Sequence, residues 1–158
     1  DSTTISNNTD DGIRVSEGSI LEIENSTITG KAGEKAIVGY NNSTLTLAES
    51  SSGTTLISTT NANAIYLSNS FGEIRDGVTV TSDTTGIGLS MNSSLRIEEG
   101  ATVNGAISGG WRSTIDIENA STISSPIWCD SGTQTILIID NATSQGKTIG
   151  NTCIKIAR

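Results

Sequence analysis

Three recurrences predict an all-β chain wound as a right-handed parallel β-helix, with three short strands per coil and about seven coils. The first is an isoleucine at 13, 37, 65, 87, 107, 127 and 154, with separations of 24, 28, 22, 20, 20 and 27 residues. Their mean of 23.5 is a solenoid period. The second is a Ser/Thr-led segment ending in an aliphatic residue, at 19–23, 43–47, 70–74, 93–97, 113–117 and 135–139. The third is a Thr-aliphatic-Ser/Thr triplet at 4–6, 27–29 and 122–124, varied at 79–81, 102–104 and 148–150 and blurred at 55–58. From each recurring isoleucine to the end of the next segment the gap is 9 to 12 residues, and variation is pushed into the other connections. A stacked coil requires this constancy.

Each piece is read as a strand because its apolar residues are Ile, Val and Leu at alternate positions. No window carries an i, i+3, i+4, i+7 apolar stripe, so almost no helix is expected. Alternation turns Ile107, Ile115, Ile117 and Ile123 inward, with Ile87, Leu89, Leu95, Ile97 and Val103 one coil earlier, and leaves Asp116, Thr122 and Ser124 outside. Asn42, Asn69 and Asn92 fall at equivalent turns before the second strand, where Asn tolerates left-handed backbone and can ladder through its amides.

Composition agrees with a narrow aliphatic stack. The 158 residues include 17 Gly, 1 Pro and 3% aromatic residues, too few large rings for a broad globular core. Residues 1–158 read as a single β-helix segment. No capping helix or charged cap is evident at either end, as expected of a piece of a longer array in which neighbouring coils cover the edges.

The net charge of −8 and the lack of a basic cluster argue against nucleic acid or anionic lipid as partner. No apolar run approaches the roughly 20 residues of a membrane-spanning helix, so no direct membrane insertion of this segment is expected.

The pattern Ile-Glu-x-x-x-Thr-Ile/Val, as in IEEGATVNGAI at 97–107, IENASTISSPI at 117–127 and IENSTITGKAGEKAI at 23–37, resembles the passenger domains of pertactin-like autotransporters of Gram-negative bacteria. The likeness is one of repeat style and spans nearly the whole chain. It implies an exported β-helical stalk on the bacterial surface or outside the cell, binding host-cell or bacterial surface proteins or glycans or associating with itself. The C-terminal outer-membrane barrel that defines the family is missing from this segment.

Chemistry is sparsely provided for. With no His in the chain, His-based general bases, Ser-His-Asp triads and the commonest metal ligand are all missing. The string Asn8-Thr9-Asp10-Asp11 superficially resembles an acidic motif of β-helical pectin hydrolases, but its acids share one turn and no Gly-His-Gly follows. It reads as a solvated polar turn, and no cofactor is expected.

Glu98, Glu118 and Asp140 each follow the second strand and should stack. Charges ~5 Å apart repel by roughly 0.8 kcal/mol in water, and a bound Ca²⁺ would relieve them, as would side chains splaying into solvent. Glu22, Glu73, Arg96 and Asp116 form a mixed-sign column one position earlier, with Arg96 paired to a neighbour.

Tyr66 and Trp128 sit between inward residues and should face out, while Trp111 and Arg112 lie on the turn after Gly109-Gly110. These four are the candidate ligand contacts, since exposed rings stack on sugars and anchor protein contacts. The loops at 50–53 and 143–147 break the period, so binding specificity is expected there.

Two other functions stay open. Thr4, Thr27, Thr55, Thr79, Thr102, Thr122 and Thr148 predict an outward ladder like the ice-binding face of β-solenoid antifreeze proteins, beside a second column mixing Ser, Thr, Asn and Gly. A polysaccharide-active lyase or hydrolase is the enzymatic alternative.

Cys129 lies two residues after its isoleucine and Cys153 one before its own. On stacked strands that is an offset of about three residues, roughly 10 Å, beyond disulfide reach unless a turn carries one back. A bridge worth roughly 3 kcal/mol and a pair of buried free thiols are both left open.

Overall fold

The structure is a computed structural model that describes residues 2–50, 53–118, 121–132, 134–139, 149–150 and 152–157. Among these residues there is no helix, and the strands follow the predicted coils. β1 (Thr4–Ile5), β2 (Ile13–Val15) and β3 (Ile20–Glu24) make the first winding. The second holds β4 (Thr27–Thr29), β5 (Ile37–Tyr40) and β6 (Thr44–Ala48), and the third β7 (Leu56–Thr59), β8 (Ile65–Ser68) and β9 (Phe71–Ile74). After these come β10 (Thr79–Ser90) with β11 (Ser94–Ile97), and β12 (Thr102–Gly109) with β13 (Thr114–Ile117). The last elements are β14 (Thr122–Ile123), β15 (Ile127–Cys129), β16 (Ile136–Ile139) and β17 (Ile154–Ala157).

All pairings are parallel, and they stack the coils into a β-solenoid of about six turns with three strands per coil. One sheet contains β3, β6, β9, β11, β13, β16 and β17 in coil order, and the other contains the remaining strands. In the middle of the stack the third strand of one coil and the first of the next are continuous, as the 12 residues of β10 and the 8 of β12. The bend between them falls on Gly86 and Gly105. Gly105 has φ +146°, and a Cβ there would lie 2.7 Å from the Gly86 nitrogen, so only glycine lets the two bends stack.

Inside the windings the isoleucines pile vertically. Ile37, Ile65, Ile87, Ile107 and Ile127 are fully buried and pair in register along the stack, as do Leu95, Ile115 and Leu137 in the second sheet. Each buried aliphatic side chain contributes about 1.5–3 kcal/mol. A β-branched residue also suits strand geometry, because its restricted χ1 costs little there.

Two turns per coil hold this column. Before every inward Ser or Thr that opens the second strand stands a residue with left-handed backbone: Gly18, Asn42, Asn69, Asn92, Arg112 and Gln134, with φ between +51° and +75°. Two of the inward hydroxyls donate to turn carbonyls: Ser93 Oγ lies 2.5 Å from the Ser90 oxygen, and Ser70 Oγ lies 3.1 Å from the Ser68 oxygen. Asn69 also donates its amide to Asn42 at 3.2 Å, so the expected ladder exists between these two coils.

The count of about six turns, against the seven expected, comes from one residue. Ile154 does not continue the Ile127 column. It pairs with Ile136 in the other sheet, and Ile149 takes the place beside Ile127. The triplet at 148–150 is therefore not a third strand, and its Thr148 lies outside the described residues.

This shift also decides the cysteines. Cys153 sits on a turn rather than a strand, is carried back toward Cys129, and forms a disulfide with it at a Cα separation of 5.1 Å. Lys155 stands in register with Leu137.

Candidate functional site

The left-handed turns between first and second strands carry two of the exposed large apolar side chains, Met91 and Trp111. Positive φ swings the side chains of Asn41, Asn42, Asn69, Met91, Asn92 and Arg112 away from the stack, because the inward place is taken by the following Ser. The result is an asparagine ridge with a groove on either side. One groove is lined by Asn41, Ser68, Asn69, Met91, Asn92, Trp111 and Arg112. The other runs past Asn42, Asn69 and Asn92 to Phe71, Thr44 and Ser94.

Trp111 is 57% exposed and Met91 55% exposed. The Arg112 guanidinium lies 6.0 Å from the Trp111 ring centroid, a cation–π approach that orients the indole. Two of the predicted contacts, Trp111 and Arg112, are thus brought together. Met91, Phe71 and the asparagine amides were missed as parts of a surface. Their sequence signal is the residue pair before the inward Ser: Asn41-Asn42, Met91-Asn92 and Trp111-Arg112.

Tyr66 and Trp128 line neither groove. Both belong to the outward column of the other sheet, through the register of Tyr66 with Gly88 and of Ser108 with Trp128. Tyr66 is half-buried rather than freely presented. Its ring stands edge-on to Tyr40 at 6.2 Å, and its hydroxyl lies 2.8 Å from that of Ser90. Gly88 leaves room for it, since a Cβ there would meet Tyr66 Cδ2 at 3.2 Å. Trp128 does present its ring, at 46% exposure.

The acidic column is joined by an arginine. Arg96 reaches Glu118 at 2.6 Å, Glu73 at 3.6 Å and Glu98 at 3.8 Å, while Arg75 holds Glu73 at 2.8 Å. The Arg96 pKa is raised, first by its hydrogen bond with Glu118 and then by that carboxylate's charge. The repulsion between Glu98 and Glu118 that suggested Ca²⁺ is therefore offset by the guanidinium between them. Asp140, the third proposed ligand, lies outside the described residues. Glu98 and Glu118 also line an open groove with Asp76, Glu99 and Gly100.

A different acidic group forms at the first winding, where Asp10, Asp11 and Glu34 bring carboxylate oxygens within 4.8 Å of one another. Asp11 is engaged there by Arg14 at 2.9 Å, and it accepts the Lys35 backbone N–H at 3.3 Å. The polar turn at 8–11 is thus tied to the next coil through Asp11.

The threonine column is real but interrupted. Thr4, Thr27, Thr79, Thr102 and Thr122 stand in register, yet the position between Thr27 and Thr79 is filled by Leu56. Thr55 is fully buried instead, bonded to the Ala48 carbonyl at 2.6 Å. The second column runs Thr29, Ser58, Thr81 and Asn104. Of the loops expected to carry specificity, residues 51–52 and 143–147 lie outside the described residues.

Together the fold and its outward turns define a parallel β-solenoid whose potential contact surface is extended. No family model matches the chain, and no curated protein or solved structure matches it either.

Proposed function

We propose that this chain is a non-enzymatic segment of an exported bacterial surface protein, an adhesive or self-associating stalk of the autotransporter type. It binds host or neighbouring cell surfaces through outward columns and turns. The observation that carries this reading is the asparagine ridge with Trp111 and Met91 exposed beside it, a contact surface built on a rigid stack. Two further features support it. The Cys129–Cys153 disulfide suits an oxidising compartment outside the cytosol. The repeat style of 97–107 and 117–127 resembles passenger domains.

The test is display of the segment on a non-adherent bacterium, followed by counting cell aggregates and attachment to host cells. Substitutions along the ridge should lower both while leaving the circular dichroism unchanged; attachment indifferent to the segment would overturn the reading. Release of reducing or unsaturated sugars from polysaccharides would establish the enzymatic alternative instead. Ice binding draws on the Thr79, Thr102 and Thr122 register and is opposed by Leu56 within the column. Thermal hysteresis decides it.

A further inference from the structure

We propose that the groove between Met91 and Trp111 is a binding site for a neutral hexopyranose-containing glycan. This deepens the adhesive reading by naming the ligand class at one of its surfaces.

Asn and Gly occupy the left-handed region cheaply, but Met91 at φ +50° and Arg112 at φ +55° do not. Each could be replaced at its turn by Asn or Gly with relief of strain, as the equivalent positions Asn41, Asn69 and Asn92 show. Glu17 and Gln134 carry the same strain at equivalent turns, so what distinguishes this groove is the surface its residues present. What the two strained residues present is apolar and planar surface. Met91 exposes its thioether, and Arg112 stacks over the Trp111 indole, leaving that ring 57% exposed.

The polar part of the groove has matching chemistry. Among the described residues, the side-chain amides of Asn41 and Asn92 make no hydrogen bond, and Asn69 uses only its N–H group, toward Asn42. Each amide offers donors and an acceptor on a fixed turn. A pyranose needs this pairing: a face of C–H groups to lie on an aromatic ring and a belt of hydroxyls that both donate and accept. Because the lining residues sit on hydrogen-bonded turns, Asn92 N–H to Trp111 oxygen at 2.9 Å among them, little ordering remains to be done on binding.

Charge selects the neutral class. The lining holds one cation, already placed over the indole, on a protein of net charge −8. An anionic polysaccharide would meet repulsion from most of the molecule. A protein partner would need a contact area much larger than a single Trp and a Met provide.

The experiment uses the whole chain with Trp128→Phe, so that Trp111 is the sole reporter. Neutral oligosaccharides of glucose, mannose and galactose are titrated up to about 10 mM while indole emission is followed. At least one should shift the emission saturably. Trp111→Ala, read by calorimetry, and Asn92→Ala, read by emission, should each weaken binding about tenfold, with unchanged circular dichroism. No binding to the folded chain, binding unaffected by both substitutions, or binding only to sulfated or uronic polymers would overturn the inference.

Cell attachment is measured on the same variants. Attachment by a chain whose Trp111 is intact and which binds none of the glycans removes the glycan site and leaves the adhesive reading. Glycan binding without attachment removes the adhesive reading and leaves the site.

Discussion

Cys129 and Cys153 are bonded across 24 residues of sequence, and the bond closes the last winding onto the coil below it. Cys129 ends β15, while Cys153 immediately precedes β17, whose four residues are all exposed. The tie therefore fixes a strand that burial holds only weakly. A loop of this length is worth about 3 kcal/mol in the chain-entropy view. Reduction, or Cys129→Ser with Cys153→Ser, should lower the urea unfolding free energy by about that much. Amide exchange at 154–157 should rise before exchange at 113–117. Equal protection of β17 in the oxidised and reduced forms would show that the tie is not what holds it.

The inward serines make a second prediction, because equivalent residues differ in their bonding. Ser93 Oγ is 3.1 Å from the Leu67 oxygen and 2.5 Å from that of Ser90. Ser113, fully buried at the equivalent place two strands on, has a hydroxyl with no partner. Ser93→Ala should cost about 1–2 kcal/mol through the lost hydroxyl bonds, including the one the Ser70 N–H donates to it, while Ser113→Ala should be neutral or stabilising, since it removes a desolvated hydroxyl that gains nothing. Chemical denaturation of the two variants checks the sign. A loss at Ser113 as large as that at Ser93 would refute the contrast.

These cases also mark what the sequence could reveal. The columns Ile37 to Ile127 and Leu95 to Leu137 were legible because a period near 23 residues and alternation of faces leave one consistent winding. Legibility failed where one residue could serve two registers. Ile154 matched the anchor spacing, and only the rival bridge from Ile149 to Ile127 shows that it belongs to the other sheet. Thr55 failed similarly: a buried threonine bonded to Ala48 resembles an outward ladder residue until pairing puts Leu56 between Thr27 and Thr79. Of the surface, Trp111 and Arg112 could be picked out as exposed, but the groove could not. It depends on left-handed turns stacking across three coils, which no single coil announces.

The asparagine ridge should tolerate glycine and reject branched residues. Asn42 has φ +62°, and its amide accepts from Asn69 at 3.2 Å. Asn42→Gly keeps the conformation and loses one exposed bond, so a cost below about 1 kcal/mol is expected. Asn42→Val forces a β-branched residue into the left-handed region and should cost about 1–2 kcal/mol more. Thermal unfolding should rank the wild type and glycine variant together above the valine variant. A valine variant as stable as the glycine variant would mean that the turn relaxes freely.

Arg96 predicts a salt effect. Its guanidinium is half-exposed and joins three carboxylates on neighbouring strands, Glu73, Glu98 and Glu118. Arg96→Gln leaves these acids facing one another, so added salt should stabilise the variant more than the parent. Melting temperatures at low and high NaCl give the comparison. The same salt response in both proteins would show that Arg96 does not govern the electrostatics of this column. The raised Arg96 pKa adds no pH dependence near neutrality: its contribution is complete below the ordinary arginine pKa and is lost only as pH rises through the still higher folded value.

A steric coupling between two well-held neighbours lies between Gly109 and Thr135. Thr135 is fully buried, donates its hydroxyl toward the Gly109 and Gly110 oxygens at 3.1 Å each, and lays its methyl over Gly109. A Cβ at Gly109 would stand 2.5 Å from that methyl and 3.0 Å from Ile115 Cδ1. Neither neighbour has room to retreat, because Thr135 is held by its hydroxyl and Ile115 fills the core. Gly109→Ala should therefore destabilise by about 1–3 kcal/mol. Thr135→Ser removes the offending methyl and retains the hydroxyl, so adding it to Gly109→Ala should restore part of the loss, with a coupling of about 0.5 kcal/mol or more. The four proteins of this cycle are compared by urea denaturation at one temperature. Strict additivity would mean that the alanine is accommodated by a shift of backbone elsewhere, and the steric account of why glycine ends β12 would fall.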